Sequence, residues 1–190
     1  MIVLKEFLEL NPLDKREGDF PEKEILALKD KIPVDLYDFL KQEQKSVYGN
    51  GFFRTVLPTD YHGILNNWGL DGNNCFAFLR SSFGCIAFYY KNKCYAFNPQ
   101  EGENLVITGS DFNRLFNFSL SWDMNLNGGF CYDLHLQNIN KLAELKEDEM
   151  YTLVPSLPLG GDRETSKVVI VKMKEELDIL AKQFNHKTTN

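Results

Sequence analysis

The 190-residue sequence predicts a single compact α+β domain, with a mainly antiparallel sheet flanked by helices, and three observations carry that reading. Charge is uneven: 19 charged side chains fall in residues 1–48 and 17 in residues 141–190, which leaves 12 for residues 49–140. That middle region holds eleven of the fifteen Phe, both Trp and most Tyr, and aromatic residues suit the pleated, half-buried surface of a strand. Apolar residues recur at helical spacing in the charged flanks, but in short runs bounded by turn residues in the middle.

The N-terminal flank reads as three short helices. Ile2, Val3, Phe7, Leu8 and Leu10 form an apolar face that ends at Asn11-Pro12. Pro21 opens a second helix through Ile25, Leu26 and Leu28, closed at Ile32-Pro33 because a residue before proline is pushed out of helical geometry. Val34, Leu36, Tyr37, Phe39 and Leu40 stripe the third. Residues 11–20 are polar and rich in breakers, so 1–31 is expected to be a helical appendage. The domain proper is expected over 32–186, with 187–190 as a disordered tail.

Gly49-Asn50-Gly51 marks a turn before a strand at 52–57. Pro58-Thr59-Asp60 then opens a helix bearing Tyr61, Ile64, Leu65 and Trp68, with Thr59 expected as its N-cap and Gly69 at its end. Strands are expected at 75–80, 84–90, 93–98 and 105–108, with a hairpin at Lys91-Asn92-Lys93 in which Asn92 takes positive φ. Ser110-Asp111 caps a helix through Phe112, Leu115 and Phe116. Residues 121–130, rich in Asn and Gly, read as a loop, and 133–145 as a helix. Strands at 150–154 and 167–171 flank the turn Leu159-Gly160-Gly161-Asp162, and Leu177, Leu180, Ala181 and Phe184 give a final amphipathic helix over 173–184.

Composition narrows the function classes. A net charge of −6 and a pI near 5.1 argue against direct nucleic-acid binding, which needs a basic surface. The charge-free run Ser81–Tyr90 is ten residues long, about half of what a membrane span requires. Lys5 and Glu6 interrupt the N-terminal apolar run and no small-residue cleavage site follows, so the chain is expected to be cytoplasmic, without a membrane partner. Cys75, Cys85, Cys94 and Cys131 form no C-x-x-C pair, and His62, His135 and His186 are scattered. No metal and no cofactor are expected, and the thiols are expected to be buried and reduced.

Chemistry-bearing motifs are weak. Cys131 and His135 would share a helix face with Asp133 able to orient the histidine, but no known thiol signature surrounds them, and a buried thiol at a helix start accounts for the spacing. Gly160-Gly161-Asp162 resembles a phosphate or cyclase turn only until it continues Arg163-Glu164; tight backbone geometry is the simpler reading. Glu147-Asp148-Glu149 lacks the alternate spacing of a calcium loop. Phe76, Phe78, Phe88, Tyr90, Tyr95 and Phe97 would need a basic groove to stack bases, and Arg54, Arg80, Lys91, Lys93 and Arg114 are the only cations of the middle region. No catalytic residue is assigned.

Three blocks together carry a resemblance. Ile32-Pro33, Leu36-Tyr37-Asp38-Phe39-Leu40, Tyr48-Gly49 and FFRTVLPTDY form the first. Phe78-Leu79-Arg80-Ser81-Ser82-Phe83-Gly84 followed by Cys94-Tyr95-Ala96-Phe97-Asn98-Pro99 forms the second, and Leu153-Val154-Pro155-Ser156-Leu157-Pro158-Leu159-Gly160-Gly161 with the helix ending Leu177-Asp178-Ile179-Leu180-Ala181 the third. In order and spacing, over about residues 32–182, these blocks resemble GAD-like domains and the C-terminal domain of type VI secretion immunity proteins. The resemblance implies a non-enzymatic, cytoplasmic immunity protein that binds and neutralises a cognate antibacterial toxin, often a nuclease. The alternatives are an intracellular protein-interaction or regulatory domain of the same fold without a toxin partner, and an unrecognised hydrolase. Cys85 stands where the family carries an acidic residue and Asp162-Arg163 where it carries a small polar one, which leaves the partner's identity open; the oligomeric state is open as well.

A partner must be met by exposed loops, and three are rich in acid and amide groups: 71–74, 100–103 and 123–127. The expected contact residues are Asp71, Asn73, Asn74, Glu101, Glu103, Asp123 and Asn125, with Trp122 as aromatic anchor. Ordinary turn chemistry explains the same composition.

Overall fold

A computed structural model describes residues 4–187; Ile2 and Val3 of the first apolar face and residues 188–190 of the tail expected at 187–190 lie outside the described residues, while Lys187 closes the last helix. In chain order the elements are α1 (Lys5–Leu10), β1 (Leu13–Gly18), α2 (Glu22–Leu26), α3 (Val34–Glu43), β2 (Lys45–Tyr48) and β3 (Phe53–Thr55). A 3-10 turn (Pro58–Tyr61) leads into α4 (His62–Asn67), then β4 (Phe76–Ser81), β5 (Ile86–Tyr90), β6 (Lys93–Asn98) and β7 (Glu103–Thr108). Next come α5 (Phe112–Asn117), a 3-10 turn (Ser119–Ser121), α6 (Asp123–Phe130), α7 (Tyr132–Asn138), β8 (Glu149–Val154), a 3-10 turn (Leu157–Leu159), β9 (Lys167–Lys172) and α8 (Met173–Lys187). Strands β1 to β7 form one seven-stranded sheet in sequence order, each pair antiparallel, and β8–β9 a separate antiparallel pair.

The central strands are apolar on both faces, and each face has its own helical cover. Ala87 and Tyr89 of β5 join a core with Phe7 of α1, Leu36 and Phe39 of α3, Phe116 of α5, Phe130 of α6 and Leu134 of α7. Ile86 and Phe88, one residue out of phase, face the other way, towards Ile64 and Leu65 of α4, Met150 of β8 and Leu177 of α8. A strand buried on both sides has no polar face, which is why the 75–98 region reads as near-continuous apolar sequence rather than strict alternation.

The fold class is as expected: α+β, one antiparallel seven-stranded sheet plus helices, in a single compact domain. Several local expectations fit as well. Lys91 and Asn92 take φ of 46° and 61°, the geometry of a two-residue hairpin turn, and Asp111 accepts the Arg114 backbone N–H at 3.0 Å as an N-cap.

Other local expectations give way. Residues 11–20 contain β1, an edge strand whose residues are all exposed. With no buried face it has no period to read; backbone pairing with β2 and the Asp14 carboxylate, which accepts the N–H groups of Asn50 (3.0 Å) and Gly51 (2.8 Å), hold it in place. Residues read as an appendage supply Phe7, Phe20, Ile25 and Leu28 to the main core, where Phe7 packs against Tyr48, Phe53 and Phe116. Thr59 is not a cap: Leu57 precedes the turn, and the Thr59 hydroxyl donates to Glu24. Residues 123–130 are helix rather than loop, because burial of Leu126 and Phe130 outweighs the poor propensity of Asn and Gly. The helix expected over 133–145 ends at Asn138. Between α6 and α7, Cys131 takes a left-handed conformation (φ 60°, ψ 43°) that breaks one helix from the next.

Candidate partner-binding surface

The last strand of the sheet and the helices that follow it assemble an exposed aromatic surface. At its rim Asp111 caps α5, which ends just before Phe118. The chain is then tied down twice: buried Ser119 donates its hydroxyl to Ile107 O of β7 at 2.9 Å, and Asn125 Nδ2 donates to Ser119 O at 2.9 Å. These bonds leave the intervening side chains pointing outward on a fixed backbone. Phe118 is 54% exposed, Trp122 47%, Met124 65% and Val106 of β7 52%. The Phe118 and Trp122 rings lie 6.1 Å apart, and the Arg114 guanidinium sits over Phe118 at 5.4 Å. Val106, Phe118 and Trp122 line a shallow hollow of about 590 Å³. Single exposed apolar residues are ordinary. A contiguous set of Trp, Phe and Arg on an anchored backbone has the composition of an interaction hot spot.

The structure does not gather the three predicted loops into one surface. Pairing of Phe76 with Tyr89 sets Asp71, Asn73 and Asn74 at the sheet end of the 91–92 hairpin, whereas Asn98 pairs with Glu103 at the opposite end. Asp71 is engaged with Asn74, whose Nδ2 donates to it at 2.8 Å, and Asn73 borders a hollow shared with Lys23 and His62. Glu103 is exposed at the start of β7. Glu101 is half-buried and committed: it accepts Arg163 Nη1 at 2.6 Å, and the same guanidinium reaches Asp133 at 2.6 Å. Asn125, expected at the surface, is buried and positions the backbone beneath Trp122. Trp122 and Asp123 are exposed on the aromatic surface. Phe118, Met124 and Arg114 were not singled out from the sequence. Phe118 sits two residues past Phe116, which is fully buried, and composition does not distinguish them.

The remaining motifs resolve into packing. Cys131 Sγ lies 3.8 Å from Cys85 Sγ, while His135 Nδ1 lies 2.9 Å from Ser82 Oγ, so thiol and imidazole serve separate contacts. Burial lowers the His135 pKa to about 4, and pushes the Cys75 and Cys94 thiols up to about 11 and about 12. Gly161 leaves no room for a side chain, since a Cβ would stand 2.0 Å from Pro155 O. In the acidic run Glu147 pairs with Lys45 at 2.8 Å and Asp148 with Lys172 at 2.6 Å. Among the described residues no three His, Cys, Asp or Glu side chains are grouped to hold a metal, and no helix is long and apolar enough to cross a membrane.

A family model for the GAD-like domain matches residues 2–108, more than half of the sequence. The chain belongs to the GAD-like family. A second model, described as T6SS immunity protein Tdi1, C-terminal, takes up at residue 110 and runs to 183. The fold of this GAD-like protein is shared by the crystal structure of Atu4351 from Agrobacterium tumefaciens, at a TM-score of 0.72 and 20% identity over 94% of this chain and 88% of that one. No curated protein matches. The GAD-like match starts thirty residues before the boundary expected at 32, in keeping with the burial of Phe7. The seam between the two matches falls at the end of β7, so Val106 lies in the first while Phe118, Trp122 and Met124 lie in the second.

Proposed function

We propose that this protein is a non-enzymatic immunity protein of the cytoplasm, which binds and neutralises a cognate antibacterial toxin delivered by type VI secretion, with the Phe118–Trp122 surface as its contact. The observation that carries the reading is the immunity-protein match over residues 110–183, the segment that builds this surface. Family membership supports the immunity role itself. The net charge of −6 supports a basic toxin, such as a nuclease, because opposite charge accelerates encounter. Asp111 and Asp123 flank the aromatic pair; they suit the steering role of rim charges, while Phe118 and Trp122 suit the role of anchors. Co-purification with the product of a neighbouring toxin gene tests the proposal. Stable one-to-one recovery is the expected result. Failure of every neighbouring gene product to bind favours the interaction domain without a toxin partner.

A further inference from the structure

A cleft of about 350 Å³ opens near the other edge of the sheet, where β2, β3 and β4 meet the segment leading into β8. Its floor holds two arginines directly opposite one another, Arg54 on β3 and Arg80 on β4. Both are buried, at 3% and 1% exposure. Like charges at facing positions of an antiparallel pair repel, and a guanidinium is costly to remove from water unless a counter-charge accompanies it. Arg54 has one: its Nη1 donates to Glu17 and its Nη2 to Leu145 O at 2.6 Å. Arg80 does not. Its two bonds go to backbone carbonyls, Glu147 O at 2.8 Å and Ser81 O at 3.3 Å, and among the described residues no carboxylate lies within ion-pair distance of it.

Over the whole lining the charges balance, five cations against five carboxylates, but the carboxylates left over stand at the solvent-exposed mouth and none reaches Arg80 on the floor. Lys45 is matched by Glu147 and Lys172 by Asp148, both pairs on the rim. Asp60 and Glu175 are exposed at the mouth, where Lys174 also stands. Glu17 is shared between Arg54 and Lys15, the latter at 3.0 Å.

Two further donors lack good acceptors. Arg54 Nε is buried with no partner, and the buried Tyr61 hydroxyl donates to the Met173 thioether at 3.6 Å, a weak acceptor. Burial raises the Tyr61 pKa to about 12, so the phenol keeps its proton and its capacity to donate. Phe20, Leu57 and Met173 supply apolar wall beside these donors. A buried guanidinium with no ion-pair partner among the described residues, underused donors and an apolar wall in a space of this size match the usual make-up of a small-ligand pocket.

We propose that this cleft binds a small organic anion, its phosphate or carboxylate head on Arg80, Arg54 and Tyr61 and its apolar body against Phe20 and Met173. The site is independent of the toxin-binding surface, which lies at the opposite edge of the sheet. Thermal unfolding and isothermal titration calorimetry of the full chain with sodium phosphate, AMP and sodium benzoate test it, each against sodium chloride at matched ionic strength. The phosphate and carboxylate arms distinguish the two head groups. At least one probe is expected to bind saturably at one site per chain and to raise Tm above the chloride control. Arg80→Met, which keeps length and removes the charge, should abolish that binding; Tyr61→Phe should weaken it about tenfold, the worth of one hydrogen bond to a charged group. If Arg80→Met does not fold, Tyr61→Phe decides alone. The proposal is overturned if no probe exceeds the chloride control, or if affinity is unchanged in the folded variants.

Discussion

At one edge of the seven-stranded sheet the outer strand β1 presents four charged side chains, Asp14, Lys15, Arg16 and Glu17, beside a single exposed leucine, Leu13; at the other edge Val106 of β7 joins Phe118, Trp122 and Met124 in exposed apolar area, rimmed by the charged Asp111, Arg114 and Asp123. A charged edge discourages pairing with other chains. The β1 edge therefore reads as a closed end of the molecule, stitched inward by Glu17 to Arg54 and by Lys15 to Glu144. The β7 edge keeps apolar area in water on a backbone fixed by Ser119 and Asn125. Holding apolar groups exposed and rigid lowers the ordering cost of docking, and that is where binding energy is gained. Under the proposed function, exposed aromatic area rather than exposed charge marks the partner surface.

The largest effect expected from this contrast is on affinity. Replacing Phe118 and Trp122 together by Ala should weaken toxin binding by at least about 100-fold, roughly 3 kcal/mol, as loss of two central anchors does. Lys15→Ala with Arg16→Ala at the charged edge should change it less than about twofold. Titration calorimetry on both variants measures this, and a reversed order would break the comparison.

His135 sits between the two edges and should be indifferent to both. Its folded-state pKa, about 4, lies below the ordinary histidine value. The unfolded chain therefore takes up a proton first, and stability is lost as pH falls from about 6.5 towards 4, by up to roughly 3 kcal/mol. Denaturant unfolding across that window should show the fall in wild type and in the Phe118/Trp122 variant alike, and a flatter profile in His135→Gln. Equal slopes in all three would remove His135 as the cause.

Smaller effects separate Glu101 from Asp123, two acids that look alike in sequence. Glu101→Lys sets a second cation against Arg163, so it should cost about 1 kcal/mol of stability, discounted for partial exposure, with the association rate unchanged. Asp123→Lys should leave the denaturation midpoint alone and slow association a few-fold at about 50 mM salt, with the difference vanishing near 500 mM. Stopped-flow association and chemical denaturation check the pair. A slower rate for Glu101→Lys alone would move the interface to the other end of the strands.

What the sequence disclosed follows from what each segment buries. Doubly covered strands such as β5 leave a dense aromatic signal, and Asp111 announces its helix because capping is a local bond. Strand β1 buries nothing and stays silent. Helix α6 is built from DMNLNGGF, poor in helix formers, and depends on tertiary burial of Leu126 and Phe130. At the candidate surface, Trp122 and Asp123 were legible as an aromatic and an acid in a polar stretch. Asn125 was misplaced because polarity suggests exposure, whereas its amide is spent on Ser119. The outward turn of Phe118 is set by the Ser119–Ile107 bond across 12 residues, beyond any local reading. The two floor arginines were visible only as sparse cations; their facing positions come from strand register.

The most direct test of the central claim is protection. Cells that express a candidate toxin from a neighbouring gene are supplied with wild-type protein or with the Phe118→Ala/Trp122→Ala variant at equal soluble levels, and survivors are counted. Full rescue by wild type and death with the folded variant is the predicted result. Equal rescue by both would show that the aromatic surface is not the contact, and rescue by neither would contradict the immunity role.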